Sequence, residues 1–254
     1  MEPVLKAEDL VKVFRRPGLP DLTAVDHVSF ALQPGECLGL IGESGSGKTT
    51  IASLLTRLSD VTSGHIYLEG EEITRLKGRR LREAYRKMQM VFQSPQESFD
   101  PRRTLKDGIG ESLRSSGWTK ERTEQRVEAL LKQCGLTSEL AGRYPHQVSG
   151  GQCQRAAIAR AIAIGPKILI CDEATSALDV TVQKEIIELL GELRTAKGKD
   201  LSVLFISHDI ALVQQFCDRV LVLHHGKIVE EGDPDAIIRS PENEYTKQLI
   251  ESVL

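Results

Sequence analysis

The feature that most constrains this chain lies between residues 37 and 49. Cys37-Leu-Gly-Leu-Ile41 is an unbroken apolar run, the pattern of a strand covered on both faces. It leads into Gly42-Glu-Ser-Gly-Ser-Gly47-Lys48-Thr49, which fits G-x-x-x-x-G-K-[ST]. Thr49 to Leu58 then reads as a helix. Glycines let successive backbone N–H groups turn inward around a phosphate, and the helix aims its positive dipole end at the same point. Gly42, Ser44, Gly45, Ser46, Gly47 and Thr50 are therefore candidate phosphate contacts. Lys48 is expected to reach the β- and γ-phosphates of a nucleotide, and the Thr49 hydroxyl to ligate Mg²⁺. A flexible strand-to-helix turn is the plain alternative, and the flanking strand and helix argue against it.

A second apolar strand, Ile168-Leu-Ile-Cys-Asp172-Glu173, ends in two acids. In a doubly wound sheet the carboxyl ends of the strands face the ligand crevice. Asp172 is the candidate metal partner, usually through water. Glu173 is the candidate to accept a proton from an attacking water. Acids at a strand end are common for purely structural reasons, so this pair gains its weight from the glycine-rich loop. Ser149-Gly150-Gly151-Gln152 precedes a helix and offers a hydroxyl and bare N–H groups to an anion. Taken alone, that segment reads as a simple helix cap.

The rest of the chain alternates strand and helix. Val28, Phe30 and Leu32 alternate with polar residues up to a turn at Pro34-Gly35. Ile66 and Leu68 repeat that pattern. Thr119 can cap a helix whose apolar face is Val127, Leu130, Leu131 and Cys134 and which Gly135 stops. Further helices are expected from about Gly151 to Ile164 and, through Val182, Ile186, Leu190 and Leu193, to near Gly198. Leu201 to Ser207 reads as a buried strand, and Val220 to Leu223 with Lys227 to Val229 as a hairpin about His225-Gly226. Such alternation implies an α/β fold around a mostly parallel sheet, with the helical stretch from about 94 to 165 inserted beside it.

Composition narrows the function. Apolar residues at 40% supply a core, and a net charge of −3 gives no basic field for nucleic acid. No apolar run is long enough to span a membrane. Met1 to Leu10 carries acids and lacks the apolar stretch of a signal peptide. Cys37, Cys134, Cys153, Cys171 and Cys217 are scattered, as buried small hydrophobes in a reducing compartment would be. His224-His225 beside the hairpin turn reads as a solvated loop and not as a metal site. The expectation is a cytoplasmic protein whose membrane role, if any, comes through partners.

With these residues on the page, the chain resembles the nucleotide-binding subunit of ABC transporters over essentially its whole length. The phosphate loop is Gly42 to Thr49 and the Walker B segment Ile168 to Glu173. The signature is Val148-Ser149-Gly-Gly-Gln-Cys-Gln154-Arg155, where the family more often has Leu at 148 and a polar residue at 153. Ser176-Ala-Leu-Asp179 is similar to the D-loop, Gln93 to the glutamine that joins the metal to the helical subdomain, and His208 to the switch histidine. Phe14 is similar to the aromatic that stacks on adenine. The resemblance implies one P-loop NTPase domain of ABC type spanning 1–254. Its core and antiparallel β subdomain would cover about 1–93 and 166–254, and its helical subdomain about 94–165. It also implies ATP and Mg²⁺ as cofactors. Two such domains would pair head to tail, as a homodimer or with a second ABC ATPase, each ATP lying between one phosphate loop and the partner's Ser149 segment.

Finer features resemble peptide and nickel importers: Gln93 to Thr104, Arg143-Tyr-Pro-His146, and Pro241 with Tyr245-Thr246 and Leu249. That likeness implies two integral membrane permease subunits, a solute-binding protein acting indirectly, and a place on the cytoplasmic face of the inner membrane. A soluble ABC ATPase serving an enzyme assembly, such as a carbon–phosphorus lyase system, is the rival reading. A translation or DNA-repair role would call for tandem domains or long coiled-coil insertions, which this sequence lacks. Phe99, among polar neighbours between Pro95 and Pro101, is expected to be exposed as a docking anchor; the alternative is that it packs on the chain's own helices.

Overall fold

A computed structural model describes residues 2–15, 17–176, 178–196 and 201–252. In chain order, β1 (Leu5–Phe14) and β2 (Leu22–Leu32) precede β3 (Cys37–Ile41) and α1 (Lys48–Leu55). Then come β4 (Ser63–Leu68), β5 (Glu71–Glu72), α2 (Gly78–Lys87) and β6 (Met88–Val91). Four helices follow without an intervening strand: α3 (Leu105–Ile109), α4 (Glu111–Ser115), α5 (Lys120–Gln133) and α6 (Gly150–Ile162). Strand and helix alternate again in β7 (Ile168–Asp172), α7 (Val180–Thr195), β8 (Ser202–Ile206) and α8 (Ile210–Phe216). The chain continues with β9 (Arg219–His224), β10 (Lys227–Gly232), α9 (Pro234–Arg239) and α10 (Glu244–Glu251).

Two sheets organise these elements. One is six-stranded in the order β10-β9-β3-β8-β7-β6, and the other four-stranded in the order β2-β1-β4-β5. The neighbours from β9 to β6 pair in parallel, whereas β10 runs antiparallel to β9. The smaller sheet is antiparallel throughout. The central strands are apolar without a break because each divides its residues between two cores. Leu38 and Leu40 of β3, Ile168 and Ile170 of β7, and Leu204 and Ile206 of β8 face a core shared with α1 and the smaller sheet. Their neighbours Cys37, Ile41, Leu169, Cys171, Val203 and Phe205 face a core shared with the helices. A period of two along each strand produces that division. All five cysteines are buried.

The ends of α1 and α6 differ from the pattern reading, each for a local reason. α1 stops at Leu55: Thr56 Oγ1 turns back to the Ala52 carbonyl at 2.7 Å, and Arg57 takes a positive φ of 57°. α6 starts at Gly150 because Ser149 caps it. α7 ends at Thr195, and Gly198, the expected stop, lies outside the described residues. α5 is capped by the Thr119 hydroxyl, which accepts from Arg122 N–H.

Phe99 corrects an expectation. It is buried, only 5% exposed. Its ring lies against Gly108 of α3, so close that a Cβ there would meet Cδ1 at 2.5 Å. The Arg160 guanidinium of α6 covers the ring at 4.4 Å. The docking anchor is therefore not Phe99. His224 is a second correction: it ends β9 half-buried, stacked on Tyr245 with centroids 3.7 Å apart, while His225 alone is the exposed turn residue.

Candidate active site

Topology gathers the site. β3, β8, β7 and β6 are adjacent and parallel, so the residues that follow them emerge at one edge of the sheet. Gly42 follows β3, Gln93 comes two residues after β6, Asp172 and Glu173 close β7, and His208 comes two residues after β8. The ladder extends slightly past the strands: Glu173 N–H bonds the Ile206 carbonyl at 2.9 Å, and Ser207 N–H the Leu40 carbonyl at 3.3 Å.

The phosphate loop is shaped by two glycines that no other residue can replace. Gly42 and Gly47 have φ of +150° and +112°. A Cβ on Gly42 would strike the Leu223 carbonyl oxygen at 2.2 Å, and one on Gly47 the Ala24 carbonyl oxygen at 2.3 Å. Lys48 opens α1 with its ammonium buried, donating to the carbonyls of Gly42 at 2.7 Å and Glu43 at 2.9 Å. Burial pushes the Lys48 pKa down, opposed by the charges of Glu173, Asp172 and Glu43. Ser46 Oγ is buried with no hydrogen-bond partner in the protein. Ser44, Gly45 and Thr49 lie exposed on the rim, and Thr50 is half-buried behind them.

Opposite stands the acidic pair. Thr49 Oγ1 donates to Asp172 Oδ1 at 3.3 Å. Burial raises the Asp172 pKa, countered by that hydroxyl and raised further by Glu173 nearby. Glu173 has a φ of +47°. Its Oε2 accepts from Gln93 Nε2 at 2.8 Å, and its Oε1 lies 3.8 Å from His208 Nδ1. Lys48, Thr49, Asp172, Glu173, Gln93 and His208 thus form one constellation.

The signature segment lies apart from that constellation in the hydrogen-bond pattern. Ser149 Oγ accepts from Gln152 N–H at 3.2 Å, and Gln152 Oε1 accepts from Ser149 N–H at 3.0 Å, a reciprocal capping box. Ser149 and Gly150 are exposed, and Gly150 shares a cavity of about 280 Å³ with Gln93 to Glu97 and Leu178. Asp179 caps α7 by accepting from Val182 N–H at 3.1 Å; Ala177, between it and Ser176, lies outside the described residues. Phe14, at the end of β1, is 40% exposed with Lys12 Nζ 5.0 Å from its ring centre. One contact of the loop that sequence reasoning missed involves a side chain far along the chain: Glu43 N–H donates to the Tyr245 hydroxyl at 3.0 Å. No local signal in either residue announces that bond.

The donor set fits a nucleotide polyphosphate with a divalent cation. Ser46 Oγ lacks a partner and Lys48 Nζ has only carbonyls, so both have hydrogen bonds to offer an anion. Asp172 is a buried acid beside a second acid and a hydroxyl, a set of hard oxygens suited to Mg²⁺.

A parallel core sheet, a phosphate loop opening α1 and two acids closing the neighbouring strand but one define a P-loop nucleotide-binding domain. The ABC transporter family profile matches residues 25–176. The chain belongs to the ABC transporter family. It is 45% identical, over 99% of its length, to the glutathione import ATP-binding protein GsiA of Escherichia coli K12. The chain spans only 41% of that protein. It is 40% identical, over 98% of its length, to the oligopeptide transport ATP-binding protein OppF of Streptococcus mutans, of which it covers 81%. Among solved structures it is similar to the post-hydrolysis dimer of the ATP-binding cassette MJ0796 bound to ADP and Pi. That likeness has a TM-score of 0.83 and 29% identity, covering 91% of this chain and 98% of the other.

Proposed function

We propose that this chain is the ATP-hydrolysing subunit of an importer for small peptides. The convergence of Lys48, Thr49, Gln93, Asp172, Glu173 and His208 on one sheet edge carries the reading. In it, Lys48 offers its ammonium to the β- and γ-phosphate oxygens, Ser46 donates its hydroxyl, and the N–H groups of Gly47 to Thr50 line the cradle. Phe14 stacks on the adenine. Thr49 and Asp172, with Gln93, would hold Mg²⁺, which neutralises charge on the transferring phosphoryl group. Glu173 takes a proton from the attacking water as the bond from γ-phosphorus to the ADP oxygen breaks. Gln93 fixes one oxygen of that carboxylate beforehand by a hydrogen bond, and His208, 3.8 Å from the other, would contact the γ-phosphate.

The MJ0796 dimer supports pairing of two copies, or of this chain with a second ATPase. Ser149, Gly150, Gly151 and Gln152 of one copy would then close on the γ-phosphate bound by the other, with Asp179 at the seam. Two membrane permease subunits would dock near Leu58 and Phe92, which are 60% and 37% exposed and line a groove of about 380 Å³ with Tyr85 and Met90. No described helix is long and apolar enough to cross a membrane, so the chain would sit peripherally on the cytoplasmic face, reached indirectly by a solute-binding protein. Peptide is preferred over nickel because the two relatives are named for glutathione import and for oligopeptide transport.

Glu173→Gln tests the chemistry, since an amide cannot accept the proton. ATP binding should persist, steady-state hydrolysis should fall by at least about a hundredfold, and light scattering should find an ATP-dependent dimer. Near-normal turnover would remove Glu173 from its role. Co-purification with two hydrophobic subunits tests the importer assignment, and co-purification with a soluble enzyme assembly instead would overturn it.

A further inference from the structure

The phosphate loop is fastened from outside by residues that the motif does not contain. Gly226 N–H, in the β9–β10 turn, donates to the Ser46 carbonyl at 2.9 Å. Tyr245 makes a second tie, accepting from Glu43 N–H. Tyr245 lies in the first turn of α10 and is buried. Its ring stacks almost flat on His224, with an interplanar angle of 10°. The start of α10 is itself held. Asn243 Oδ1 accepts from Tyr245 N–H at 2.9 Å. The Glu230 carboxylate of β10 accepts from Glu242 N–H at 2.8 Å and Asn243 N–H at 3.1 Å. Leu249 and Ile250 anchor the rest of the helix in the core.

The bond to Tyr245 matters because of which peptide it holds. Glu43 N–H and the Gly42 carbonyl belong to one planar trans amide, so they point in opposite directions. Turning the N–H outward to Tyr245 turns the carbonyl inward, where it accepts from Lys48 Nζ at 2.7 Å. We propose that Tyr245 is a positioning residue for the phosphate loop: its hydroxyl fixes the Gly42–Glu43 peptide plane and, through the Gly42 carbonyl, the place of the Lys48 ammonium. Burial pushes the Tyr245 phenol pKa up, so the hydroxyl stays neutral across the working pH range.

The inference rests on the nucleotide-binding reading, but its first readout does not. Tyr245→Phe keeps the ring on His224 and removes only the hydroxyl. Glu43 is exposed, so water takes over its N–H, and the melting temperature should stay within about 2 °C of the parent. Without nucleotide, hydrogen–deuterium exchange at the Glu43 amide should accelerate about tenfold. The dissociation constant for Mg·ADP should rise about fivefold, as expected for one lost hydrogen bond. His224→Ala, which removes the stacking partner and leaves the hydroxyl, should shift both readings the same way by less. Unchanged exchange at Glu43 overturns the proposal, and so does faster exchange with unchanged affinity. A parent chain that bound no nucleotide would overturn the proposed function instead, and the role of Tyr245 would then be decided by the exchange at Glu43 alone.

Discussion

Glu173 occupies the left-handed backbone region at φ +47°, which costs a residue with a Cβ on the order of 1 kcal/mol. The strain aims its carboxylate between Gln93 and His208 instead of along the strand. Such an angle is invisible in sequence, although the residue itself was legible as the second acid after an apolar strand. Phe99 shows the reverse. Its polar neighbours suggested exposure, but burial depended on a distant glycine, Gly108, and a distant cation, Arg160. Arg160 also donates through Nη2 to Ser98 Oγ at 2.9 Å, binding the segment after Gln93 to α6. Phe99→Ala should therefore act on stability, lowering it by about 3 kcal/mol in chemical denaturation. Its effect on the assembly of membrane subunits should follow from that loss alone.

Among the elements, those with a clean period were legible and those without were not. β3, β7 and β8 are apolar on both faces, and α5 shows its cap, stripe and stop in sequence. α2 buries only Ala84, so it offers no apolar stripe to read. β1 breaks its alternation between Ala7 and Leu10, where its pairing shifts register and Asp9 takes a positive φ. α6 was legible, but its start carries two roles that local chemistry cannot separate. Ser149 already caps the helix, and the proposed dimer asks the same end to meet a phosphate. Ser149→Arg should cost about 1 kcal/mol for the lost cap and abolish ATP-dependent dimerisation in light scattering, while nucleotide binding to the monomer survives. A dimer that still forms would take the signature segment out of the interface.

At the scale of the molecule, Glu69 joins the two sheets. It sits just beyond β4 and pairs with Lys167 ahead of β7 and with Lys87 at the end of α2, the latter at 2.8 Å. Hydrogen bonds from Lys167 and then Lys87 hold its pKa below the usual glutamate range. A carboxylate depressed in this way stabilises the fold above its unfolded pKa, and the contribution is lost as pH falls through the folded value. Glu69→Gln should therefore lower stability at pH 7 by at most about 1 kcal/mol, given its partial exposure. The gap between variant and parent should shrink from about pH 4.3 downward. Denaturation midpoints across that range check it, and a gap independent of pH would mean that the ion pairs contribute nothing.

The tie between Glu43 and Tyr245 also has a meaning in time. The two residues are 202 positions apart. A ribosome adding about 5–20 residues per second needs roughly ten to forty seconds to travel that distance. Throughout that interval the emerging chain already carries its glycine-rich loop and lacks the phenol that finishes it. A translation product cut short before α10 would hold the loop without that tie, and full affinity for nucleotide would come only after Tyr245 had been added.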